Sequence, residues 1–93
     1  MNSQKKGKGV YTHIDGGIYT GNFDVDEKNG FGIMKYKNGD VYKGEWKNGV
    51  RSGKGEYQSR SGHNYRGEWM NDRFHGIGLL VFPDGGFYNG EWF

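Results

Sequence analysis

The sequence predicts an all-β protein, an elongated and twisted single-layer antiparallel sheet of β-hairpins stacked at a period of 23 residues. Three observations lead to this prediction. First, segments 42–46, 65–69 and 88–92 share the pattern Tyr-x-Gly-Glu-Trp, and segment 19–23 is a looser copy in the same phase. Second, a Gly-x-Gly pattern returns at the same spacing. Third, apolar residues alternate as in a strand, and a fixed period of this length is typical of stacked repeats.

The repeats divide the chain into units that begin and end in mid-repeat. The Gly-x-Gly pattern starts at Gly7, Gly30, Gly53 and Gly76. We therefore predict a half repeat at 7–18, full repeats at 19–41, 42–64 and 65–87, and a second half repeat at 88–93. Residues 1–6 precede the pattern, and we predict that they form a disordered basic tail. Helices are not expected, because glycine recurs too often for a stable helix.

Each unit also carries a turn signal, of which Pro-Asp-Gly at 83–85 is the most informative. Proline suits the second position of a type I turn, aspartate the third, and glycine the left-handed position that follows. Together they predict a three-residue hairpin loop, which fixes the strand register. In the equivalent hairpin, whose loop is residues 37–39, Tyr36 should face Asp40, Met34 should face Tyr42, and Gly32 should face the motif glycine at 44.

Because side chains alternate on a strand, this register places the tyrosine, the glycine and the tryptophan of every motif on one face of the sheet. We call this surface the aromatic face. Its glycines expose flat backbone over which neighbouring rings can pack. Twelve aromatic residues are predicted to lie on it: Tyr11, Tyr19, Phe23, Tyr36, Tyr42, Trp46, Tyr57, Tyr65, Trp69, Phe82, Tyr88 and Trp92.

The opposite surface, which we call the open face, is predicted to be mixed in character. Near the C-terminus it becomes apolar, because Leu79, Val81 and Phe87 all fall on it. Elsewhere we expect exposed ion pairs that contribute little to stability: Lys43 with Glu45, and Arg66 with Glu68.

The residue inventory points away from catalysis. Without cysteine the chain has neither a disulfide nor a thiolate metal site. The stretch 24–27 resembles the start of a calcium loop, but Lys28 stands at the fifth position and no glutamate follows at the twelfth. We predict no catalytic, cofactor-binding or metal-binding residues and no small-molecule substrate. A nucleic-acid partner is not expected either, since the rings are needed for the core and the repeat body is near neutral.

The motifs resemble a known family. Tyr-x-Gly-Glu-Trp, an Asn-Gly or Asn-Asp turn, a Gly-x-Gly and a second Gly-containing turn, at a period of 23 residues, are similar to the MORN repeat (membrane occupation and recognition nexus) over residues 7–93. His75 before Gly76 also fits many family members, whereas Phe23 in place of tryptophan departs from the pattern. The resemblance implies one hairpin per repeat. It also implies a scaffold of cytoskeletal, axonemal or membrane-junction proteins, or a lipid-binding or regulatory module.

We therefore expect an intracellular, non-catalytic repeat scaffold that mediates protein–protein interaction or assembly, in a cytoskeletal or ciliary complex. The final strand is an edge without lysine or proline to guard it, which invites a protein partner or self-association. The predicted partner-binding residues are Leu79, Val81, Phe87, Tyr88, Trp92 and Phe93. Packing against further repeats would explain the same residues equally well.

Two different roles are also compatible with the sequence. The chain could be a regulatory segment of a larger enzyme, or it could be a phospholipid-binding module. Weak contact of such a module with an anionic membrane would use the basic residues Lys5, Lys6 and Lys8.

Overall fold

A computed structural model describes residues 6–92. They form a single antiparallel sheet in which each strand pairs with its neighbours along the chain. The sheet is thin and long, with principal extents of 52 × 25 × 16 Å, and residues 6–92 contain no helix. The all-β prediction is confirmed. The strands are β1 (Gly7–Thr12), β2 (Ile18–Asp24), β3 (Glu27–Lys35), β4 (Val41–Lys47), β5 (Val50–Gln58), β6 (Asn64–Met70), β7 (Arg73–Val81) and β8 (Phe87–Trp92).

Three-residue loops close the hairpins along one long edge of the sheet. The Pro-Asp-Gly loop forms as predicted: the Phe82 N–H donates to Gly86 O at 2.7 Å, and the Gly85 N–H donates to Phe82 O at 2.9 Å. Glycine takes the left-handed position of every such loop, with φ between 92° and 103° at residues 16, 39, 62 and 85. Glycine adopts this conformation without the steric penalty that other residues meet.

Two-residue turns close the hairpins along the other long edge, at 25–26, 48–49 and 71–72. Both residues of each turn have positive φ, from 47° at Val25 to 84° at Gly49. This geometry is that of a type I′ turn, which asparagine and glycine favour. The 48–49 turn has that sequence, whereas Val25 is a β-branched residue in a conformation that its side chain opposes.

The predicted register is confirmed, because Gly32 lies opposite Gly44 and Met34 opposite Tyr42. Towards the two-residue turns the pairing shifts. Gly44 lies opposite residue 55, but Trp46 lies opposite residue 51. Between these two pairs β5 therefore has two residues more than β4. The irregularity recurs in every full unit. In each full unit the first glycine of the Gly-x-Gly lies within this irregularity and has positive φ, 89° at Gly30.

The aromatic face contains one ring that the sequence analysis omitted. Phe74 lies opposite Trp69 in the register of β6 and β7, and its ring stacks on that of Tyr65 with centroids 3.9 Å apart. The set of twelve predicted rings is therefore incomplete. The physical reason is that side-chain alternation extends the aromatic face two residues ahead of Gly76, into a segment to which the repeat motif assigned no face.

The core consists of the motif tyrosines and tryptophans with their neighbours on the aromatic face. Each motif tyrosine donates its O–H to a backbone carbonyl three residues on, as Tyr42 does to Glu45 O at 2.9 Å. Each tryptophan donates its Nε1–H to the carbonyl of a Gly-x-Gly, as Trp46 does to Gly32 O at 3.3 Å. The rings are thus buried without leaving polar atoms unpaired. The buried residues are Tyr19, Phe23, Met34, Tyr42, Trp46, Tyr65 and Trp69.

Glycine is required where each motif tyrosine crosses the following strand. A Cβ on Gly55 would overlap the ring and hydroxyl of Tyr42, and the same overlap occurs in the other two full units. At Gly9 the corresponding tyrosine strand is missing from the described sheet. The nearest atom to a Cβ there would be Phe23 Cε2 at 3.6 Å, an ordinary van der Waals contact.

Gly55→Ala is expected to lower the free energy of unfolding by about 3 kcal/mol, because the added methyl group would displace the Tyr42 ring. Gly9→Ala is the matched control: it makes the same substitution at the same repeat position, where no tyrosine ring of the same chain lies over the glycine. Both variants are measured at a protein concentration at which the native chain is monomeric. Urea unfolding followed by tryptophan fluorescence measures both. Similar losses in the two variants would contradict the role assigned to the tyrosine.

Val25→Asn is expected to raise the free energy of unfolding by about 1 kcal/mol, because asparagine tolerates the left-handed conformation better than a β-branched residue. The reverse change, Asn48→Val, should lower it by a similar amount. Thermal unfolding of the two variants tests the assignment, which would be refuted if Val25→Asn were destabilising.

Candidate interaction surfaces

The aromatic face has one variable position in each full unit, two residues before the Gly-x-Gly. Lys28, Arg51 and Phe74 occupy it. Each covers the rings of the core: Lys28 Nζ lies 5.5 Å from the ring centroids of both Tyr19 and Trp46. The repeat thus keeps its rings and changes the group that covers them, from an ammonium to a guanidinium to a phenyl ring, each of which binds an aromatic surface favourably.

Arg51 joins two consecutive hairpins. Its guanidinium carbon lies 4.7 Å from the centroid of Trp69, and its Nε lies 3.0 Å from Asp72 Oδ1. The backbone N–H of Arg51 donates to the same carboxylate oxygen at 2.8 Å. A shallow cleft opens beside this pair, but its guanidinium is already engaged by the carboxylate and the rings. We therefore assign Arg51 a structural role. The sequence analysis missed it, although the 23-residue alignment with Lys28 would have found the position.

Asp40 joins two hairpins at the edge of the three-residue loops. Its Oδ2 accepts the Tyr57 O–H at 2.5 Å, and its Oδ1 accepts the Arg60 N–H at 2.8 Å. The hydrogen bond from Tyr57, followed by that from Arg60, lowers the pKa of Asp40 below its usual value. Burial, followed by the bond to this carboxylate, raises the pKa of Tyr57.

The motif glutamates on the open face bind backbone N–H groups. Glu45 Oε2 accepts the Lys54 N–H at 2.7 Å, and Glu68 Oε1 accepts the Ile77 N–H at 2.9 Å. In both cases the donor is the middle residue of a Gly-x-Gly. The register shift leaves that N–H without a strand partner, and the glutamate side chain satisfies it.

The predicted ion pairs of the open face are therefore wrong. Arg66 does not pair with Glu68 but with Glu56 on the neighbouring strand, Nη2 to Oε2 at 2.9 Å. Glu45, predicted to pair with Lys43, is instead engaged by the backbone. The reason is that a hydrogen bond to an otherwise unpaired N–H contributes more than an exposed ion pair does.

An uncovered apolar strip lies on the open face near the C-terminal end of the described sheet. Ile77, Leu79 and Val81 alternate along β7, and Val81 lies opposite Phe87 of β8. We call these four residues the apolar strip. Its two ends are the most accessible, with Ile77 65% exposed and Phe87 69% exposed. The sequence analysis did not include Ile77. Its alignment with Lys54, one period earlier, would have identified this position as part of the open face.

The same four positions are polar one repeat earlier, where they hold Lys54, Glu56, Gln58 and Asn64. That unit forms the same hairpin in the same register. The fold therefore accepts polar side chains at these positions and does not require the apolar ones. Exposed apolar groups clustered in this way are typical of surfaces that bind another molecule.

The predicted partner-binding residues do not share one surface. Leu79, Val81 and Phe87 belong to the apolar strip, whereas Tyr88 and Trp92 lie on the aromatic face. Trp92 packs against the core there, and Tyr88 is 46% exposed. Phe93 lies outside the described residues.

The predicted membrane contacts lie at the opposite end of the sheet from β8. Lys6 and Lys8 are exposed there, beside and within β1. Residues 1–5 of the predicted tail lie outside the described residues, and Lys5 is among them.

Between residues 6 and 92 no helix is long and apolar enough to cross a membrane. Across the same residues, no three side chains of His, Asp or Glu come together in an arrangement that could hold a metal ion.

Asp40→Asn is expected to destabilise the protein at pH 7 by on the order of 1 kcal/mol, because Tyr57 and Arg60 donate to the ionised carboxylate. The lowered pKa of Asp40 fixes the sign of the pH dependence. The contribution is complete above the carboxyl's unfolded-state pKa and is lost as the pH falls through the folded-state pKa.

Urea unfolding of the native and Asp40→Asn proteins between pH 7 and pH 2 should therefore show a stability difference that closes in acid. The same comparison in a Tyr57→Phe background, which removes the donor, should give a smaller difference at pH 7. A difference that did not change with pH would contradict the assignment.

A protein-family model described as MORN repeat matches the chain at residues 1–18, 19–41, 42–64 and 65–87. A search of curated proteins gives no match. Repeats of this family are commonly modules that bind proteins or membranes. The matched segments cover most of the chain, and the sheet has the one-hairpin-per-repeat architecture that the motifs imply. This chain therefore belongs to the MORN-repeat family.

Proposed function

We propose that this chain is a non-catalytic scaffold that binds a protein partner through the apolar strip of its open face. The contrast between two equivalent units supports the proposal. Four positions that are polar in one unit become Ile77, Leu79, Val81 and Phe87 in the next, with no change in backbone register. A difference that the fold does not need requires another reason, and a binding partner supplies one.

The surroundings of the apolar strip fit the anatomy of a protein interface. On the β6 side Arg66 lies opposite Leu79. On the β8 side Asn89 lies opposite Leu79, and Glu91 lies opposite Ile77. An apolar centre within a polar rim is the usual arrangement of a protein–protein contact. The partner we propose presents a short row of apolar side chains, flanked by groups that can bond a guanidinium and a carboxylate.

A place for this scaffold in a cytoskeletal or ciliary assembly is part of the same proposal and rests on the family resemblance. Binding to phospholipid would use a different surface, the basic residues near β1. The two explanations can therefore be separated with variants of the apolar strip alone.

The decisive variant exchanges the apolar strip for the residues of the preceding unit: Ile77→Lys, Leu79→Glu, Val81→Gln and Phe87→Asn. We expect it to fold, because the same residues already occupy the same hairpin positions one repeat earlier. We also expect it to lose partner binding by at least about tenfold, because the apolar centre of the contact is removed. Partners captured by the native chain would be identified, purified and titrated against both proteins.

The matched control is Phe31→Lys with Ile33→Glu, which makes the same exchange at the first two of these positions in the first full unit. The control should bind the purified partner as the native chain does. Equal binding by the apolar-strip variant would refute the proposal. Sedimentation with anionic phosphatidylserine vesicles completes the test: vesicle binding that survives the exchange, with no partner lost, would favour the membrane explanation.

A further inference from the structure

The two end strands of the described sheet are complementary halves of one repeat. Among residues 6–92, β8 presents Tyr88 and Gly90 and no Gly-x-Gly strand pairs with its outer side. In the same range β1 presents Gly7 and Gly9, and no tyrosine strand pairs with its outer side. We propose that β8 of one copy pairs with β1 of a second copy, so that the sheet continues head to tail between molecules. This inference goes beyond the proposed partner site, which lies on a face of the sheet, and does not depend on it.

Both end strands present backbone groups suited to this pairing. The Phe82 N–H bonds Gly86 O, and hydrogen-bonded pairs alternate along an antiparallel ladder. Residues 88 and 90 therefore bond β7, which leaves the N–H and C=O of Phe87 and Asn89 directed outward. In β1 the His13 N–H bonds Gly17 O. By the same alternation the backbone N–H and C=O of Val10 and Thr12 are directed outward, away from β2.

The internal repeats fix the register of the intermolecular pair. Gly44 lies opposite Gly55, and Tyr42 lies opposite Tyr57. The equivalent alignment places Gly90 opposite Gly9, Tyr88 opposite Tyr11 and Asn89 opposite Val10 of the second copy. Asn89 and Val10 then form one of the hydrogen-bonded pairs, and their outward backbone groups meet.

The side chains of the aromatic face are complementary in this register. Tyr42 is fully buried because its ring covers Gly55. Tyr88 is 46% exposed and has no glycine of a following strand beneath it within the described sheet. A Cβ at Gly9 would meet only the Phe23 ring, at 3.6 Å, and no tyrosine of the described chain lies over this glycine. The contact between copies would place the Tyr88 ring over Gly9, as the ring of Tyr42 lies over Gly55 inside the chain.

The open face supplies a second complementary contact. Glu45 and Glu68 each accept the N–H of the residue nine positions later, in the middle of a Gly-x-Gly. Glu91 is the next glutamate of this series, and β8 is the last strand described. The residue that completes the series is Lys8 of the second copy, whose N–H lies between Gly7 and Gly9. Its ammonium group adds a charge complementary to the carboxylate.

A head-to-tail contact is heterologous, so each added copy presents a fresh β8 edge and a fresh β1 edge. The 93-residue chain without substitutions is therefore expected to form open-ended oligomers whose mean mass rises with protein concentration. Sedimentation velocity over a wide concentration range measures this. A native chain that stays monomeric at all concentrations, or that stops at a dimer, would overturn the proposal.

Two single variants each block one edge. Gly9→Ala places a methyl group where the neighbour's Tyr88 ring would lie, and its β8 edge is unchanged. Asn89→Pro removes an outward N–H from β8, which an edge strand tolerates, and its β1 edge is unchanged. Each variant alone should be monomeric, with self-association weakened by about 100-fold for Gly9→Ala. An equimolar mixture should form a dimer, because the β8 edge of Gly9→Ala meets the β1 edge of Asn89→Pro.

Symmetric pairings of like edges would give opposite results. Dimers of Gly9→Ala alone would indicate β8-to-β8 pairing, and dimers of Asn89→Pro alone would indicate β1-to-β1 pairing. A mixture that remained monomeric would also overturn the proposal. A variant with only the three β7 exchanges, Ile77→Lys, Leu79→Glu and Val81→Gln, distinguishes this inference from the proposed function. It changes no residue of β1 or β8 and should self-associate like the native chain.

Crosslinking tests the register without a proline variant. The chain has no cysteine, so Asn89→Cys and Val10→Cys can be introduced on separate chains. The Cα atoms of a hydrogen-bonded cross-strand pair lie about 5.5 Å apart, within the span of a disulfide. Mild oxidation of the mixture should yield the mixed dimer. Asn89→Cys with Thr12→Cys, two residues out of register, is the control, and equal crosslinking of both mixtures would contradict the pairing.

Discussion

The structure depends on one recurring contact, in which a tyrosine ring lies across a glycine of the following strand. Tyr42 over Gly55 is representative: the ring fills the space that any Cβ would occupy, and its hydroxyl reaches a backbone carbonyl of its own strand. A single-layer sheet of this kind has no second layer of secondary structure to bury its rings. The ring itself must therefore act as the second layer, and it can do so only where the backbone beneath it carries no side chain.

This contact explains which positions vary between the units. The motif tyrosine and the second glycine of the following Gly-x-Gly cannot be substituted separately, because the tyrosine ring occupies the space where a Cβ of any other residue would lie. Two residues before the first glycine, by contrast, Lys28, Arg51 and Phe74 all cover the rings from above. On the open face Glu45 and Glu68 accept the N–H in the middle of the Gly-x-Gly, whereas Asn22, at the same position of the first full unit, donates to the Phe31 carbonyl. The remaining open-face positions are unconstrained by the fold, and the apolar strip arises at such positions.

The same contact gives the sheet the energetics of a linear array. Each strand pairs only with its neighbours along the chain, and rings also contact the next unit, as Tyr42 contacts Trp69, so stability is a sum over units and interfaces. The ring-over-glycine contact and the glutamate-to-N–H contact between two units inside the chain use residue types that the end strands also carry, Tyr88 and Glu91 in β8 and Gly9 and Lys8 in β1. A tyrosine strand without its glycine strand, and a glycine strand without its tyrosine strand, are the two halves of the contact that we propose between copies. The end strands are thus open to continuation, whereas the faces differ along the array and can be specific for a partner.

Much of the fold could be predicted from the sequence, because the repeat applies the same local rules several times. The 23-residue period, the Pro-Asp-Gly signal at 83–85 and two-residue alternation were sufficient for the strand order, the register of Gly32 with Gly44 and the aromatic face. They also identified three of the four residues of the apolar strip, Leu79, Val81 and Phe87.

What only the tertiary structure decided lies where the strands stop matching residue for residue. The extra residues before each Gly-x-Gly bring Phe74 onto Tyr65 and bring the Ile77 N–H within reach of Glu68. Neither contact follows from counting along a regular strand. The motif determined that tyrosine and tryptophan form the core. The geometry of the register shift decided that glutamate accepts a backbone N–H, whereas the place of Ile77 in the apolar strip follows from its two-residue alternation with Leu79. A repeat pattern specifies which residues are equivalent, but the path of the backbone specifies which atoms meet.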